Sequence, residues 1–288
     1  MNAPVAKDDG VVDANGVTAA LTFIVPQDTK RYFESSALTG GQPKVFFQTE
    51  DLPVTIRDMR PLARALSVDQ HGFELLVAPT TADDLYDDAA IADVYQGELV
   101  ALLKAALGAD QAKVLDYTRR SDSAEGAANP DGLRGPASLV HADYTLKSGP
   151  QRARDALGGD EVTRILAGGG RISQINVWRP IQGPVRRSPL AVADAASVGR
   201  AELVATDRRS PGRVGEIFHL AHGAGQKWYW VPDMERDEVL LIKGWDSEDD
   251  GRARFTPHGA FQLPGQDGNL PPRESIEARC FLIYEARE

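Results

Sequence analysis

The sequence predicts an α+β fold that is mainly β, in which a barrel or sandwich core carries an N-terminal α/β decoration and flanking helices. Short apolar runs separated by Gly, Pro and Asp follow one another from residue 171 onward, which is typical of an antiparallel sheet that closes on itself. Before residue 171, strand-like runs alternate with segments whose apolar residues recur every three or four positions. We therefore predict a flexible leader at 1–16 and one domain at 17–288, with core strands mainly at 112–120 and 138–286.

The predicted elements before residue 171 are three strands, a long helix, a fourth strand and one or two short helices, at 17–25, 43–49, 54–60, 84–109, 112–120 and 149–169. The long helix is indicated by apolar residues at spacings of three and four, among them Ile91, Leu99 and Leu102. Residues 121–137 are rich in Gly, Pro and Asn. This segment is predicted to be a mobile loop, either a lid over a site or a plain surface connection.

The composition limits the classes of function. The 288 residues suffice for a full hydrophobic core, and the formal net charge of −10 argues against a surface that grips nucleic acid or anionic lipid. The single cysteine, Cys280, has no partner for an intramolecular disulfide, which fits a reducing cytoplasm. No apolar run approaches the ~20 residues that span a bilayer. We expect a cytoplasmic protein that acts on a small molecule, and the sequence does not indicate its oligomeric state.

A histidine and an aspartate stand two residues apart in the run "SLVHADYT" (138–145). If this run is a strand, the side chains of His141 and Asp143 point to the same face, because side chains alternate along a strand. An imidazole and a carboxylate placed in this way can share a metal ion, with a third ligand from elsewhere in the chain. The candidates for that ligand are the remaining histidines, His71, His219, His222 and His258.

His258 is the preferred third ligand. It lies in "RFTPHGAF", after a proline that fixes the backbone and before a glycine that allows close approach. His71 has the context of a turn residue, and His219 and His222 are three apart, so they would face opposite sides of a strand. Two histidines and one carboxylate form the facial triad that suits Fe(II) and leaves three coordination positions open. A His-x-Asp pair alone is weak support, because it also arises by chance.

An arginine and a serine precede the last apolar run, in "PPRESIEARCFLIYE" (271–285). Arg273 and Ser275 share strand parity, and an arginine fork beside a serine hydroxyl can bind a carboxylate. The order His-x-Asp, His, Arg-x-Ser is that of oxygenases that use 2-oxoglutarate, whose distal carboxylate Arg273 would hold. Arg279 is a competing anchor for the same carboxylate.

Two further segments supply candidates for a substrate pocket. In "INVWRPI" (175–181), Asn176 and Trp178 share one parity and are expected beside the metal, and Arg179 lies on the opposite parity. The alternatives are core packing for Trp178 and a structural ion pair for Arg179. In "QKWYWVPDM" (226–234), Trp228 is the candidate among three adjacent aromatic residues, most of which are expected in the core. The acidic turn that begins at Asp246 is expected to be solvated.

Segments spread over 17–285 together resemble a family of hydroxylase/desaturase proteins that includes fungal gibberellin desaturase and the cephamycin methoxylation component of bacteria. They are "VHADYT", "INVWRP", "GPVRRSPLAVADAASV", "WYWVPDMERDEVLLIKGWDS", "ARFTPHGAF" and "PPRESIEARCFLIYE". The resemblance implies a double-stranded β-helix core of the jelly-roll, cupin-like type and an oxygenase that uses Fe(II), 2-oxoglutarate and O2. It carries onto His141, Asp143 and His258 as metal ligands and onto Arg273 as the co-substrate anchor. "TPHTAF" is the more usual motif, so the glycine of "TPHGAF" is expected to enlarge the pocket or alter access to it.

These observations together predict an enzyme that oxidises an unactivated C–H bond of a small molecule, expected to be a secondary metabolite, by hydroxylation, desaturation or cyclisation. Two alternatives stay open. One is a non-catalytic protein of the same fold that binds a small molecule or assists a partner enzyme. The other is an iron oxidase that does not use 2-oxoglutarate.

Overall fold

The structure is a computed structural model that describes residues 16–128, 133–266 and 269–286. The predicted leader lies outside these ranges except for Gly16, and so do residues 129–132 of the predicted loop. Within the described ranges, no helix combines the length and the apolar character that a membrane span needs.

The described ranges contain strands β1 to β16, at Gly16–Ile24, Tyr32–Glu34, Lys44–Val45, Thr49–Asp58, Phe73–Val77, Gln111–Ser121, Leu133–Arg134, His141–Ala142, Arg171–Gln182, Leu190–Ala193, Leu203–Ser210, Arg213–Leu220, Trp228–Trp230, Glu238–Asp246, His258–Ala260 and Glu274–Tyr284. They also contain helices α1 to α6, at Ser36–Thr39, Asp88–Ala90, Gln96–Leu107, Ala124–Ala128, Ser148–Leu157 and Gly159–Ala167. A π-helical turn at Ile91–Tyr95 joins α2 to α3, and short 3-10 helices lie at Arg60–Leu62, Ala195–Ser197 and Arg200–Glu202.

The strands form two sheets. The larger sheet has the order β1-β4-β13-β10-β15-β8-β12-β11-β2-β3, and the smaller has the order β5-β14-β9-β16-β6-β7. Their inner faces pack against each other through an apolar cluster that joins Trp178 and Leu240 of the smaller sheet to Val192 and Tyr229 of the larger one. The N-terminal strands β1 and β4 extend the larger sheet, because β4 pairs in parallel with β13.

The smaller sheet has an apolar outer face, and its inner face carries both polar and apolar side chains. The helical segment from α2 to α3 covers the outer face and buries Tyr95 and Leu99 against Val177 of β9 and Ala278 of β16. This segment agrees with the long helix that the sequence predicts at 84–109. Because side chains alternate along a strand, the residues between these apolar positions on β9 and β16 point into the space between the sheets.

A buried ionic network lies where β9 and β14 pair. The side chains of Lys243 and Asp246 are both 0% exposed, and Nζ of Lys243 lies 2.8 Å from Oδ2 of Asp246. Arg171 lies 2.6 Å from the same carboxylate, and Asp69 forms ion pairs with both cations. The acidic turn is exposed at residues 249–251, as expected, but Asp246 at its start is buried, because its carboxylate neutralises Lys243 and Arg171.

Replacing Asp246 with asparagine is expected to lower the free energy of unfolding by about 3 kcal/mol, because the buried ammonium of Lys243 loses its fully buried counter-ion. Urea unfolding followed by circular dichroism measures this loss. The matched control is Asp250→Asn, which removes a half-exposed partner of Arg252 and should have little effect. A loss for Asp246→Asn no larger than that of the control would contradict the role assigned to the network.

Candidate active site

Three potential metal ligands meet between the two sheets. His141 of β8 and His258 of β15 are paired directly in register, and their ring centroids are 4.7 Å apart. Asp143 follows β8, and its Oδ1 lies 3.7 Å from Nε2 of His141. The ligand atoms of the three residues all lie within 4.8 Å of one another, so one metal ion can contact all of them. Strand parity correctly indicated that His141 and Asp143 point to the same side, although β8 is only two residues long and Asp143 lies in a bend.

Backbone carbonyl groups determine which nitrogen of each imidazole carries its hydrogen. Nδ1 of His141 lies 2.8 Å from the carbonyl oxygen of Leu139, and Nδ1 of His258 lies 2.9 Å from that of Thr256. A carbonyl oxygen only accepts, so each Nδ1 donates and each Nε2 keeps a free lone pair. Two imidazole nitrogens and a carboxylate are the donor set of Fe(II) sites that leave three coordination positions open.

The surroundings keep two of the ligands, His141 and Asp143, in the forms that bind a metal. Burial lowers the pKa of His141 to about 4, and the charge of His258 adds to this effect. Burial alone would raise the pKa of Asp143, but the two histidines, Arg279 and a hydrogen bond from Asn176 hold it below its ordinary value. At neutral pH the imidazole of His141 is therefore uncharged and the carboxylate is ionised, as metal binding requires.

Two buried amides orient the carboxylate of Asp143. Nδ2 of Asn176 donates to Oδ2 of Asp143 at 2.7 Å, and Nε2 of Gln174 donates to Oδ1 of Asn176 at 2.7 Å. Both amide side chains are fully buried on the inner face of β9. Asn176 thus contacts Asp143, a candidate metal ligand. It is not part of the described cavity wall, which differs from the expectation that it lines a substrate pocket.

Replacing Asn176 with alanine is expected to weaken metal binding by about 10- to 100-fold, because Asp143 loses the hydrogen bond that fixes its orientation. Anaerobic calorimetric titration with Fe(II) measures the affinity. The matched control is Val177→Ala on the same strand, which removes apolar contacts on the opposite face and should leave metal affinity unchanged. Equal affinities for Asn176→Ala and the wild type would show that Asp143 needs no such support.

A cavity of about 380 Å³ lies beside the three ligands. Its wall on the smaller sheet consists of inward-facing side chains in register across β6, β16 and β9. Thr118, Glu277 and Trp178 form one row of this wall, and Arg120 belongs to the adjoining row. Arg120 is paired in register with Ser275, which is buried behind the described wall. Burial, followed by the negative charge of Asp143, raises the pKa of Glu277 above its ordinary value. Trp178, which belongs to the first of these rows, lines the cavity, as the sequence suggested.

Arg273 brings a buried guanidinium without a counter-ion to this cavity. Its side chain is 2% exposed, it donates to the carbonyl oxygen of Ser188 at 2.6 Å, and its Nε has no partner. In the described part of the chain no carboxylate lies within ion-pair distance of this group, and burial lowers the pKa of Arg273 to about 9. The hydroxyl of Ser275 is also buried and without a partner. A buried cation without a direct ion pair, beside a free hydroxyl, favours binding of an anion here.

Arg279, the competing anchor, also lines the cavity but is already engaged. Its Nε donates to Oδ1 of Asp116 at 2.7 Å, and a terminal nitrogen donates to Oγ1 of Thr118 at 3.0 Å. Asp116 already compensates the charge of Arg279, so Arg279 is less available than Arg273 to bind a further carboxylate.

Two other candidates for the substrate pocket lie elsewhere. Arg179 faces the helical layer, where it donates to the hydroxyl of Tyr95 at 3.1 Å and to two backbone carbonyl oxygens, because its parity on β9 is opposite to that of Trp178. Trp228 is buried in an apolar cluster of the larger sheet, with its ring edge-on to Phe23. Neither belongs to the described cavity wall, so both expectations are corrected.

The glycine of "TPHGAF" does not face the cavity. A Cβ atom on Gly259 would lie 3.1 Å from the carbonyl oxygen of Ser138 and 3.3 Å from Cγ2 of Val140. The glycine therefore permits close packing of neighbouring backbone and does not enlarge the pocket, and an effect on access to the pocket stays a prediction.

Sequence reasoning missed several residues of the cavity wall, namely Arg120, Arg134, Arg208, His219 and Glu277. Glu277 shares the parity of Arg273, so extending that alternation along β16 would have found it. His219 pairs in register with His141 across β12 and β8, and burial lowers its pKa to about 3. No local pattern distinguishes the three arginines from surface residues.

Comparisons with known proteins find relatives of this chain among oxidoreductases. A family model described as "Oxidoreductase/YMDC permease-like domain" matches residues 21–283. "Hydroxylase/desaturase efuI" of Hormonema carpetanum is 31% identical over 94% of this chain and 99% of that protein. "Fe(II)/2-oxoglutarate-dependent dioxygenase nvfI" of Aspergillus novofumigatus is 31% identical over 86% of this chain and 88% of that protein. "Gibberellin cluster GA4 desaturase" of Gibberella fujikuroi is 27% identical over 80% of this chain and 86% of that protein.

A solved structure has the same fold. The iron and alpha-ketoglutarate-dependent endoperoxidase NvfI superposes with a TM-score of 0.82 at 27% sequence identity, over 96% of this chain and 100% of that chain. This similarity confirms the predicted double-stranded β-helix core. Fe(II), 2-oxoglutarate and O2 are the cofactor and co-substrates of the dioxygenases among these relatives. The chain belongs to the hydroxylase/desaturase family of Fe(II)/2-oxoglutarate-dependent oxygenases.

Proposed function

We propose that His141, Asp143 and His258 hold the Fe(II) of this oxygenase, and that Arg273 with Ser275 binds the distal carboxylate of 2-oxoglutarate. The single observation that carries the proposal is the meeting of two free imidazole lone pairs and one ionised carboxylate within 4.8 Å. The guanidinium of Arg273 in the same cavity, which has no ion pair and an Nε without a partner, supports the second half of the proposal.

The substrate is a small molecule with an unactivated C–H bond, which the enzyme hydroxylates, desaturates or cyclises. When bound, iron and 2-oxoglutarate supply an oxidant made from O2, with succinate and carbon dioxide as the products of the co-substrate. Asn176 keeps the carboxylate of Asp143 turned toward the metal position. The centroid of the Trp178 ring lies 5.7 Å from the guanidinium carbon of Arg273, so the indole packs beside the anchor.

The remaining predictions concern the whole protein. We propose one domain at 17–288, because strands from both ends of the described chain share the two sheets. We also propose a cytoplasmic location and the absence of nucleic-acid and membrane partners, on the basis of the single cysteine and the net charge of −10.

An anaerobic titration tests the proposed function. Fe(II) is added to the folded protein, followed by 2-oxoglutarate, and a weak visible charge-transfer band is expected when both are bound. Failure of the folded protein to bind Fe(II) would favour a non-catalytic binding protein. Iron binding together with substrate oxidation that is independent of 2-oxoglutarate would favour an iron oxidase of another kind.

A further inference from the structure

The cavity beside the metal ligands carries more positive charge than the proposed function uses. Its wall contains five arginines, but among the described residues only two carboxylates, Asp143 and Glu277, line it. The arginines are Arg120, Arg134, Arg208, Arg273 and Arg279. Arg279 is paired with Asp116, a carboxylate that Arg152 also contacts, so counting Asp116 in full for the wall still leaves a surplus of two positive charges. Fe(II) adds two positive charges and 2-oxoglutarate two negative ones, so their binding does not change the surplus.

Arg134 and Arg208 are the arginines without an assigned partner. Across the ranges that the structure describes, neither has a carboxylate within ion-pair distance. Arg120 differs from them, because it donates to the carbonyl oxygen of Gly135 at 2.9 Å and lies opposite Ser275, near the proposed anchor of 2-oxoglutarate. Two charged side chains are thus left to bind something other than the co-substrate.

The two arginines approach the cavity from different sheets. Arg134 belongs to β7 and is paired in register with Arg120 at the edge of the smaller sheet. Arg208 belongs to β11 of the larger sheet, and it also lines a neighbouring cavity of about 240 Å³ that shares Asp143 with the first. A ligand in the space beside the metal ligands can therefore contact guanidinium groups from two sides.

This arrangement costs free energy when the cavity holds no anion. Burial lowers the pKa of both Arg134 and Arg208, and the charges of neighbouring arginines lower it further. Arg134 is itself one of the charges that act on Arg208. Like charges held together in a partly buried site are stabilised by an anion bound between them.

We propose that the substrate is an amphipathic acid whose carboxylate is bound by Arg134 and Arg208. Arginine suits this role, because its planar fork gives two parallel hydrogen bonds to a carboxylate. Phe33, Leu139 and Ile217 line the same cavity and offer apolar contacts to the carbon skeleton of the substrate. The inference rests on the proposed function, since it takes Arg273 to be occupied by 2-oxoglutarate.

Calorimetry with matched acid and amide probes tests the proposal. The protein is saturated anaerobically with Fe(II) and 2-oxoglutarate and then titrated with benzoate or phenylacetate, and in parallel with benzamide or phenylacetamide. We expect both acids to bind at least about 10-fold more tightly than the amides of the same shape. Equal affinities within each pair, or no saturable binding of either acid up to about 50 mM, would overturn the proposal.

Variants assign the effect to the two arginines. Arg134→Gln and Arg208→Gln should each weaken acid binding about 10-fold or more, with little change in amide binding, and Arg208→Lys should keep part of the preference for acids. Arg186→Gln, which removes an exposed guanidinium paired with Asp233, is the control and should bind like the wild type. An acid preference that survives in both glutamine variants would also overturn the assignment.

The same samples separate this proposal from the proposed function. Both glutamine variants should keep the affinity for 2-oxoglutarate and melt no lower than the wild type, because they relieve repulsion between like charges. Wild-type protein that fails to bind Fe(II) and 2-oxoglutarate would contradict the proposed function. Normal binding of both, without discrimination between acids and amides, would contradict only the inference about the substrate.

Discussion

Asp143→Ala is expected to lower substrate-dependent succinate formation by at least about 10³-fold, because the candidate metal centre loses its only anionic ligand. His141→Ala should have an effect of the same order, since it removes one of the two free Nε2 lone pairs. Succinate is measured during turnover with iron and 2-oxoglutarate, and bound iron is measured in the same preparations. We expect both quantities to fall together while circular dichroism remains that of the folded protein.

His222→Ala is the matched control for these ligand variants. His222 is exposed, packs edge-on against Phe23 at 5.2 Å and does not belong to the described cavity wall. The control should keep both iron and succinate formation. Undiminished succinate production by a folded Asp143→Ala protein would count heavily against the assigned triad.

The parts of the site that the sequence predicted depend on short-range alternation. His141 with Asp143, and Arg273 with Ser275, are pairs two residues apart, so strand parity alone indicates that each pair shares a face. The same rule placed Arg179 opposite Trp178, and the structure agrees, since Arg179 contacts Tyr95 of the helical layer. Local pattern was therefore informative wherever the relevant partner lies within a few residues in the chain.

The parts that the sequence did not predict depend on strand order. Arg134 reaches the cavity because β7 pairs with β6, and Arg208 because β11 lies in the larger sheet two strands away from β8. Trp228 is an apolar residue on a strand that pairs with β10 and β4, and this neighbourhood, not its type, puts it in the core. Such pairings between distant segments leave no periodic signal in one sequence.

Asp246 shows that stabilising ion pairs between distant segments are equally hard to predict from one sequence. Its position in an acidic run suggested a solvated turn, but the structure places it between Lys243 and Arg171. Arg171 begins β9, far from Asp246 in sequence, and only the pairing of β9 with β14 brings the two together. A buried carboxylate of this kind cannot be recognised before its cations are placed.

Arg273→Leu is expected to raise the KM for 2-oxoglutarate by about 100-fold, because a charge-assisted, bidentate contact to the distal carboxylate contributes roughly 2–3 kcal/mol. Leucine fills much of the same apolar volume beside Trp178, so the change removes the charge while leaving the packing largely intact. Initial rates of succinate formation against 2-oxoglutarate concentration give KM, and anaerobic calorimetry gives the dissociation constant. Both should rise by similar factors, whereas iron affinity should stay near that of the wild type.

Arg279→Gln distinguishes the two possible anchors. Its guanidinium already has Asp116 as a counter-ion, so its loss should change the KM for 2-oxoglutarate by less than about 5-fold. Arg273→Lys should lie between the wild type and Arg273→Leu, because an ammonium keeps the charge but not the fork. A larger rise in KM for Arg279→Gln than for Arg273→Leu would make Arg279 the anchor. The buried Nε of Arg273, which has no partner, would then need a different ligand. Among the described residues of the cavity wall, Glu277 is the one carboxylate besides the candidate metal ligand Asp143.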